Sequence, residues 1–147
     1  MRDLLKQFSK FVVVGLSSTI IDFGIVNLLF YVVNATLHLE NHSAITLWFI
    51  ICATISFMAA TLNSFYWNRK WTFEASHRSI KETLPHFYLV TISSFLINVG
   101  LSSLIVGINP LPSLSRTLLI NGAKVIATGV SLCTNFLGYR FVAFKKD

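Results

Sequence analysis

The chain has 147 residues, of which 54% are hydrophobic and only 12% charged, about half the charged share of a soluble domain. Its apolar residues collect in runs long enough to cross a bilayer, which takes about 20 residues per helix. A soluble enzyme is thereby excluded, and the first expectation is an all-α integral membrane protein with residues 1–147 as a single four-helix transmembrane domain.

The first run, residues 11–33, carries one charge, Asp22. Arg2, Lys6 and Lys10 precede it as they would precede a signal peptide, and Val33-Asn34-Ala35 is a weak cleavage-like match. The run is longer than a signal core, Asp22 interrupts it, and three further runs follow, so it reads as a retained helix. The second and third runs, 44–66 and 87–108, carry no charge, and the fourth, 117–139, carries only Lys124. None of the runs alternates, so strands of a spanning barrel are not expected. The linkers are short, which makes neighbouring helices of a small bundle.

The net charge of +6 invites a nucleic-acid reading, but its distribution argues against one. Ten of the twelve Lys and Arg fall at Arg2, Lys6 and Lys10, at Arg69, Lys70, Arg78 and Lys81, and at Arg140, Lys145 and Lys146. The loops at 34–43 and 109–116 hold only Arg116. This asymmetry is the positive-inside pattern and places both termini and the 67–86 loop in the cytoplasm. Cys52 and Cys133 lie within predicted spans and read as small packing residues. The four histidines are scattered over loops, so no metal or cofactor is expected.

The chain resembles itself. At an offset of 76, Phe11, Val14, Ser17, Ser18, Ile21, Gly24 and Leu28 meet Phe87, Val90, Ser93, Ser94, Ile97, Gly100 and Leu104, with Asp22 opposite Asn98. At an offset of 71, Phe65, Arg69 and Phe73 meet Phe136, Arg140 and Phe144. Two copies of a two-helix unit, each crossing twice, would form a parallel repeat about the membrane normal.

A carboxylate at Asp22, about 16 Å from either end of its span, must be neutral, paired or facing water. Lys124 is the other ionisable group inside a span, roughly 10 Å from its outer end. The two are expected to approach each other, either as a fixed pair that sets helix register or as a switchable pair that engages substrate or protons. Gly15-Ser18-Asp22, Cys52-Ser56-Ala60-Ser64, Thr91-Ser94-Asn98-Ser102 and Ala123-Ala127-Ser131-Asn135 fall on helical stripes suited to close packing. Asn63, Asn98, Asn121 and Asn135 are more polar and would line a cavity. No nucleophile elbow, P-loop or dinucleotide fingerprint occurs, so no enzymatic activity is expected.

The segments KFVVVGLSSTIID, NSFYWNRKWTF and NFLGYRFVAF together resemble the GtrA-like family of small four-helix membrane proteins, from Lys10 to Phe144. The family pattern closing helices two and four is roughly Asn-Phe-x-x-Asn-Arg-x-Trp-x-Phe. The first copy has Ser64 at the leading Asn, with Asn63 just before it, and keeps Phe65, Asn68, Arg69, Trp71 and Phe73. The second keeps Asn135, Phe136, Arg140 and Phe144 but has Tyr139 and Val142 at the second Asn and Trp positions.

The resemblance implies a role in cell-surface polysaccharide synthesis, either moving a polyprenyl-phosphate-linked sugar across the plasma or inner membrane or assisting a glycosyltransferase. For such a substrate, Arg69, Lys70 and Arg140 would bind the lipid phosphate. Asp22, Lys124, Asn63, Ser64, Asn98 and Asn135 would line the route, and Trp67, Trp71 and Tyr139 would anchor the interface. A small proton-coupled exporter is a third reading, which Lys124 disfavours by offsetting the one carboxylate it would need. Four helices enclose little volume, so a homodimer could complete a pathway. The sugar and the energy source are not legible.

Overall fold

The computed structural model describes residues 2–38, 40–110, 113 and 115–145, the side chain of Arg2 excepted. Lys146 of the basic C-terminal flank lies outside them. All the regular structure of the described residues is helical: α1 (Arg2–Leu37), α2 (His42–Trp67), α3 (Ile80–Ile108) and α4 (Arg116–Gly138). All four are long and apolar enough to cross a membrane. The chain divides into two compact units, Met1–Glu74 and Ala75–Asp147, the first holding α1 and α2 and the second α3 and α4.

Short polar side chains mark the helix ends. Asn41 accepts from the Ser43 amide at 2.8 Å ahead of α2. Ser79 and Ser115 accept from the Lys81 and Leu118 amides ahead of α3 and α4. Each satisfies one of the amides that a helix start leaves without a partner. Helix α3 stops where Asn109 enters the left-handed region at φ 47°, a conformation Asn tolerates.

Two helices are longer than their apolar runs. Helix α1 begins at Arg2 rather than near residue 11, because residues 2–10 hold Leu4, Leu5 and Phe8 among charged neighbours and need no hydrocarbon to stay helical. Helix α3 begins at Ile80 rather than near 87, with Ser79 as its cap and Glu82 in its first turn. An acidic group there complements the helix dipole. Pro85 lies inside the helix near its start, where it forgoes only the bond to the Lys81 carbonyl.

Several polar side chains are buried while many large apolar ones face outward. Ser56 and Thr83 are fully buried and Asn68 nearly so, whereas Ile20, Tyr31 and Val125 are more than 70% exposed. That inversion suits a solvent of lipid tails, which accepts apolar faces and leaves polar groups to find partners inside.

In the first unit the seam is Phe11, Val14 and Ser18 of α1 with Cys52, Ser56, Ala60 and Phe65 of α2. In the second it is Phe87, Val90 and Ser94 of α3 with Ala123, Ala127 and Phe136 of α4. Small residues at four-residue spacing let each pair approach closely. Among the glycines, Gly138 is the one in tight contact: a Cβ there would stand 2.5 Å from Val90 Cγ1, and a β-branched valine cannot rotate away cheaply. Gly15 behaves otherwise: its stripe packs through Ser18, while Gly15 itself has nothing within 4 Å.

Both units end in the same local feature. Helix α2 runs on as a five-residue π-helical turn, Asn68–Thr72, and α4 as another, Tyr139–Ala143. The Phe73 amide bonds the Asn68 carbonyl at 2.8 Å and the Phe144 amide bonds the Tyr139 carbonyl at 2.7 Å, the five-residue reach that defines such a turn. Phe73 and Phe144 are both buried, pinning each turn against its helix pair.

Candidate functional site

Within the first unit, polar side chains form a ladder from mid-span to the π-turn. Ser56 Oγ lies 2.6 Å from Asp22 Oδ1 and donates to it. Asn63 Nδ2 donates to Ser18 Oγ at 3.0 Å, and Asn68 Nδ2 to Ser64 Oγ at 3.1 Å. From Asp22 to the level of Lys10 is twelve residues of α1, a climb of about 18 Å.

The π-turn at the top is held from α1. Gln7 Nε2 donates to the Thr72 carbonyl at 3.2 Å. Lys10 Nζ donates to the Trp71 carbonyl at 3.0 Å and meets Glu74 at 3.4 Å. A cation on the last carbonyls of a helix is favoured by its dipole. Lys10 also lies over the Trp71 ring, 5.5 Å from its centre. Arg69 is half-buried on this turn. Lys70 is exposed and donates to Tyr66 Oη at 3.0 Å. Trp67 and Trp71 stand about 40% exposed, as interfacial aromatics would.

The second unit has its own ladder of different composition. Lys124 Nζ donates to Asn98 Oδ1 at 2.8 Å, and Asn98 Nδ2 donates to Thr128 Oγ1 at 3.3 Å. Ser131 Oγ donates to the Ser94 carbonyl at 2.8 Å. Nearer the π-turn, Tyr139 Oη and Thr91 Oγ1 are 2.7 Å apart, and Asn135 also hydrogen-bonds the Tyr139 hydroxyl. Arg140, half-buried, lies over the Phe141 ring at 5.6 Å. Arg78 caps this end, donating to the Lys145 carbonyl at 3.3 Å and facing Glu82 at 4.0 Å.

Two expectations change, those for Tyr139 and for Lys10 with Arg78. Tyr139 is no exposed anchor: it is 2% exposed and stacks on Phe87 at 4.7 Å between ring centres. Its hydroxyl is satisfied inside the helix pair, so the ring has no need of the interface. Asp22 and Lys124 each take a neutral partner within their own helix pair, Ser56 and Asn98. Lys10 and Arg78, counted in the sequence only as topology-setting charges, hold backbone carbonyls at these ends: Trp71 within the first π-turn and Lys145 just beyond the second.

Ser56 and Thr91 stand on the small-residue stripes read from the sequence, and their hydroxyls bond across the helix pairs. Thr128 as a ladder partner and Gln7 on the π-turn carbonyl had no such signal. Unused hydrogen-bonding capacity collects near the π-turns: among the described residues, Asn68 Oδ1, Thr72 Oγ1 and Asn135 Oδ1 are shielded from solvent with no partner. Among the same residues no three His, Cys, Asp or Glu come together as a metal cluster.

Residues 10–144 match the family described as GtrA/DPMS, transmembrane domain. The chain is also similar to an uncharacterized membrane protein of Bacillus subtilis (strain 168), YngA. The two are 27% identical over 144 residues, which is 98% of this chain and 83% of that one.

Proposed function

The chain belongs to the GtrA/DPMS transmembrane-domain family, and on that premise we propose that it moves a polyprenyl-phosphate-linked sugar across the membrane for cell-surface glycoconjugate synthesis. The family is linked to glycosylation, and the chain is a multi-pass membrane protein. The observation that carries the reading is the polar ladder of each helix pair, leading from an arginine-bearing π-turn toward mid-span. A lipid-linked sugar leaves its tail in the bilayer, so only a phosphate and a sugar need polar company along the route. Arg69 and Arg140 can offer paired donors to phosphate oxygens.

In this reading both termini are cytoplasmic, the two helix pairs are copies of one unit, and the protein is not an enzyme. The duplication is supported by burial at matching positions: Phe11, Val14 and Ser18 against Phe87, Val90 and Ser94. Asp22, Asn63, Ser64, Asn98, Lys124 and Asn135 line the route. The test is reconstitution in liposomes with a labelled polyprenyl-phosphate sugar, in which the protein speeds its arrival in the opposite leaflet. Arg69→Ala with Arg140→Ala weakens phosphate binding about tenfold or more while the protein still inserts. Unchanged binding sinks the arginine assignment.

A second reading, a non-transporting partner of a glycosyltransferase, has one observation in its favour. Only 11–17% of each span is buried within the chain, which leaves broad faces for another membrane protein or a second copy. Vesicle transfer no faster than the protein-free rate, with a glycosyltransferase co-purifying, selects it.

A further inference from the structure

Lys124 is an exposed ammonium within a span, and its own helix pair supplies no charge of the opposite sign. No Asp or Glu occurs between Glu82 and Asp147, so neither α3 nor α4 brings a carboxylate to its level. Among the described residues its one hydrogen bond is to the neutral Asn98 Oδ1 at 2.8 Å. An ammonium has three donors, so two remain.

Nor is the side chain turned toward the nearer membrane face. Lys124 stands eight residues from the start of α4 at Arg116, and Asn98 ten residues from the end of α3 at Ile108. These are depths of about 12 and 15 Å from the end opposite the π-turn. A snorkelling lysine would point the shorter way out; this one is drawn to the deeper carboxamide. Thr128 Oγ1 accepts from the other side of Asn98 at 3.3 Å, which fixes the carboxamide so that its oxygen faces the ammonium.

We propose that Lys124, held by Asn98 and Thr128, is a second phosphate site, deep in the span, that takes the phosphate group of a polyprenyl phosphate after it leaves the π-turn end. The inference rests on the lipid-linked-sugar reading. The phosphodiester of a polyprenyl-phosphate-linked sugar supplies one negative charge and two non-bridging acceptor oxygens, matching the two remaining N–H donors. Charge-assisted bonds of that kind are shorter and stronger than neutral ones. The ammonium that is costly alone at this depth becomes half of a neutral pair when the phosphate arrives.

The experiment is a titration of full-length protein in neutral detergent micelles, read by native mass spectrometry. Its probes are a polyprenyl phosphate, the polyprenol of equal chain length, and inorganic phosphate as competitor. It uses the Arg69→Ala/Arg140→Ala protein, so that the interfacial arginines do not mask the deeper site. The expected result is residual saturable binding of the polyprenyl phosphate, weakened about tenfold by adding Lys124→Met and largely restored by Lys124→Arg. Asn98→Ala weakens it too and serves as an independent variant should Lys124→Met fail to insert. Binding unaffected by Lys124→Met, absent before it is introduced, or equally tight for the polyprenol overturns the proposal. Displacement by equimolar inorganic phosphate assigns the site to a soluble phosphate and overturns its lipid part. Tighter phosphate binding on Asp22→Asn identifies Asp22 as the counter-ion of Lys124 and also counts against it. Binding that needs Lys124 in a wild-type protein that moves no lipid sinks the transport reading and leaves this site standing.

Discussion

Single atoms decide the behaviour of three positions. Ser56 Oγ is the donor that makes a carboxylate at Asp22 tolerable in the span. Ser56→Ala removes it and should destabilise the first unit by about 1–2 kcal/mol, the upper range for interhelical bonds in membranes. Asp22→Asn keeps a bond partner and should be milder; a denaturation series in detergent ranks the two. At Gly138 the sign follows from space: Gly138→Ala drives a methyl into Val90 and should cost about 1–3 kcal/mol. Val90→Ala in the same chain should recover most of that loss in a thermal-unfolding assay, and no recovery would place the strain elsewhere. Little of this was legible beforehand. Asp22 and Lys124 stood out as charges in apolar runs, but their neutral partners come from other helices and have no sequence signature. Tyr139 read as an interfacial aromatic because it sits beside Arg140; its partner Thr91 is 48 residues away.

At the scale of elements, four helices and their order could be read directly, because hydropathy is summed over whole spans and tolerates local exceptions. The buried stripe Cys52-Ser56-Ala60 was legible as small residues at four-residue spacing. The π-turns were not. The segments NRKWT and YRFVA share only the arginine, and what holds each turn is distant: Lys10 and Gln7 on one, Thr91 on the Tyr139 of the other. Lys10→Met should therefore loosen the turn that carries Arg69, at a cost of up to about 2 kcal/mol for a partly buried cation at a helix C-terminus. Amide hydrogen exchange at Lys70–Phe73 should rise severalfold while exchange in the rest of α2 stays unchanged. Equal exchange in both proteins would deny Lys10 its capping role.

For the whole molecule, the central claim is that the polar ladders of two helix pairs, one holding Asp22 and the other Lys124, conduct a lipid-linked headgroup from the arginine-bearing π-turn ends toward the opposite membrane face. The sequence carried much of this outline. The repeated Phe-Val-Ser seam and the twin arginine segments reflect helix packing and the membrane interface, both of which constrain residue type locally. What each cation touches is set by tertiary contact and had to come from the structure. The most direct measurement is the transfer rate of a labelled polyprenyl-phosphate sugar between leaflets of liposomes holding the purified chain and no other protein. The account predicts transfer well above the protein-free rate, reduced about tenfold by Arg69→Ala/Arg140→Ala and abolished when Lys124→Met is added. Transfer at the protein-free rate in vesicles that demonstrably contain inserted wild-type protein would contradict it.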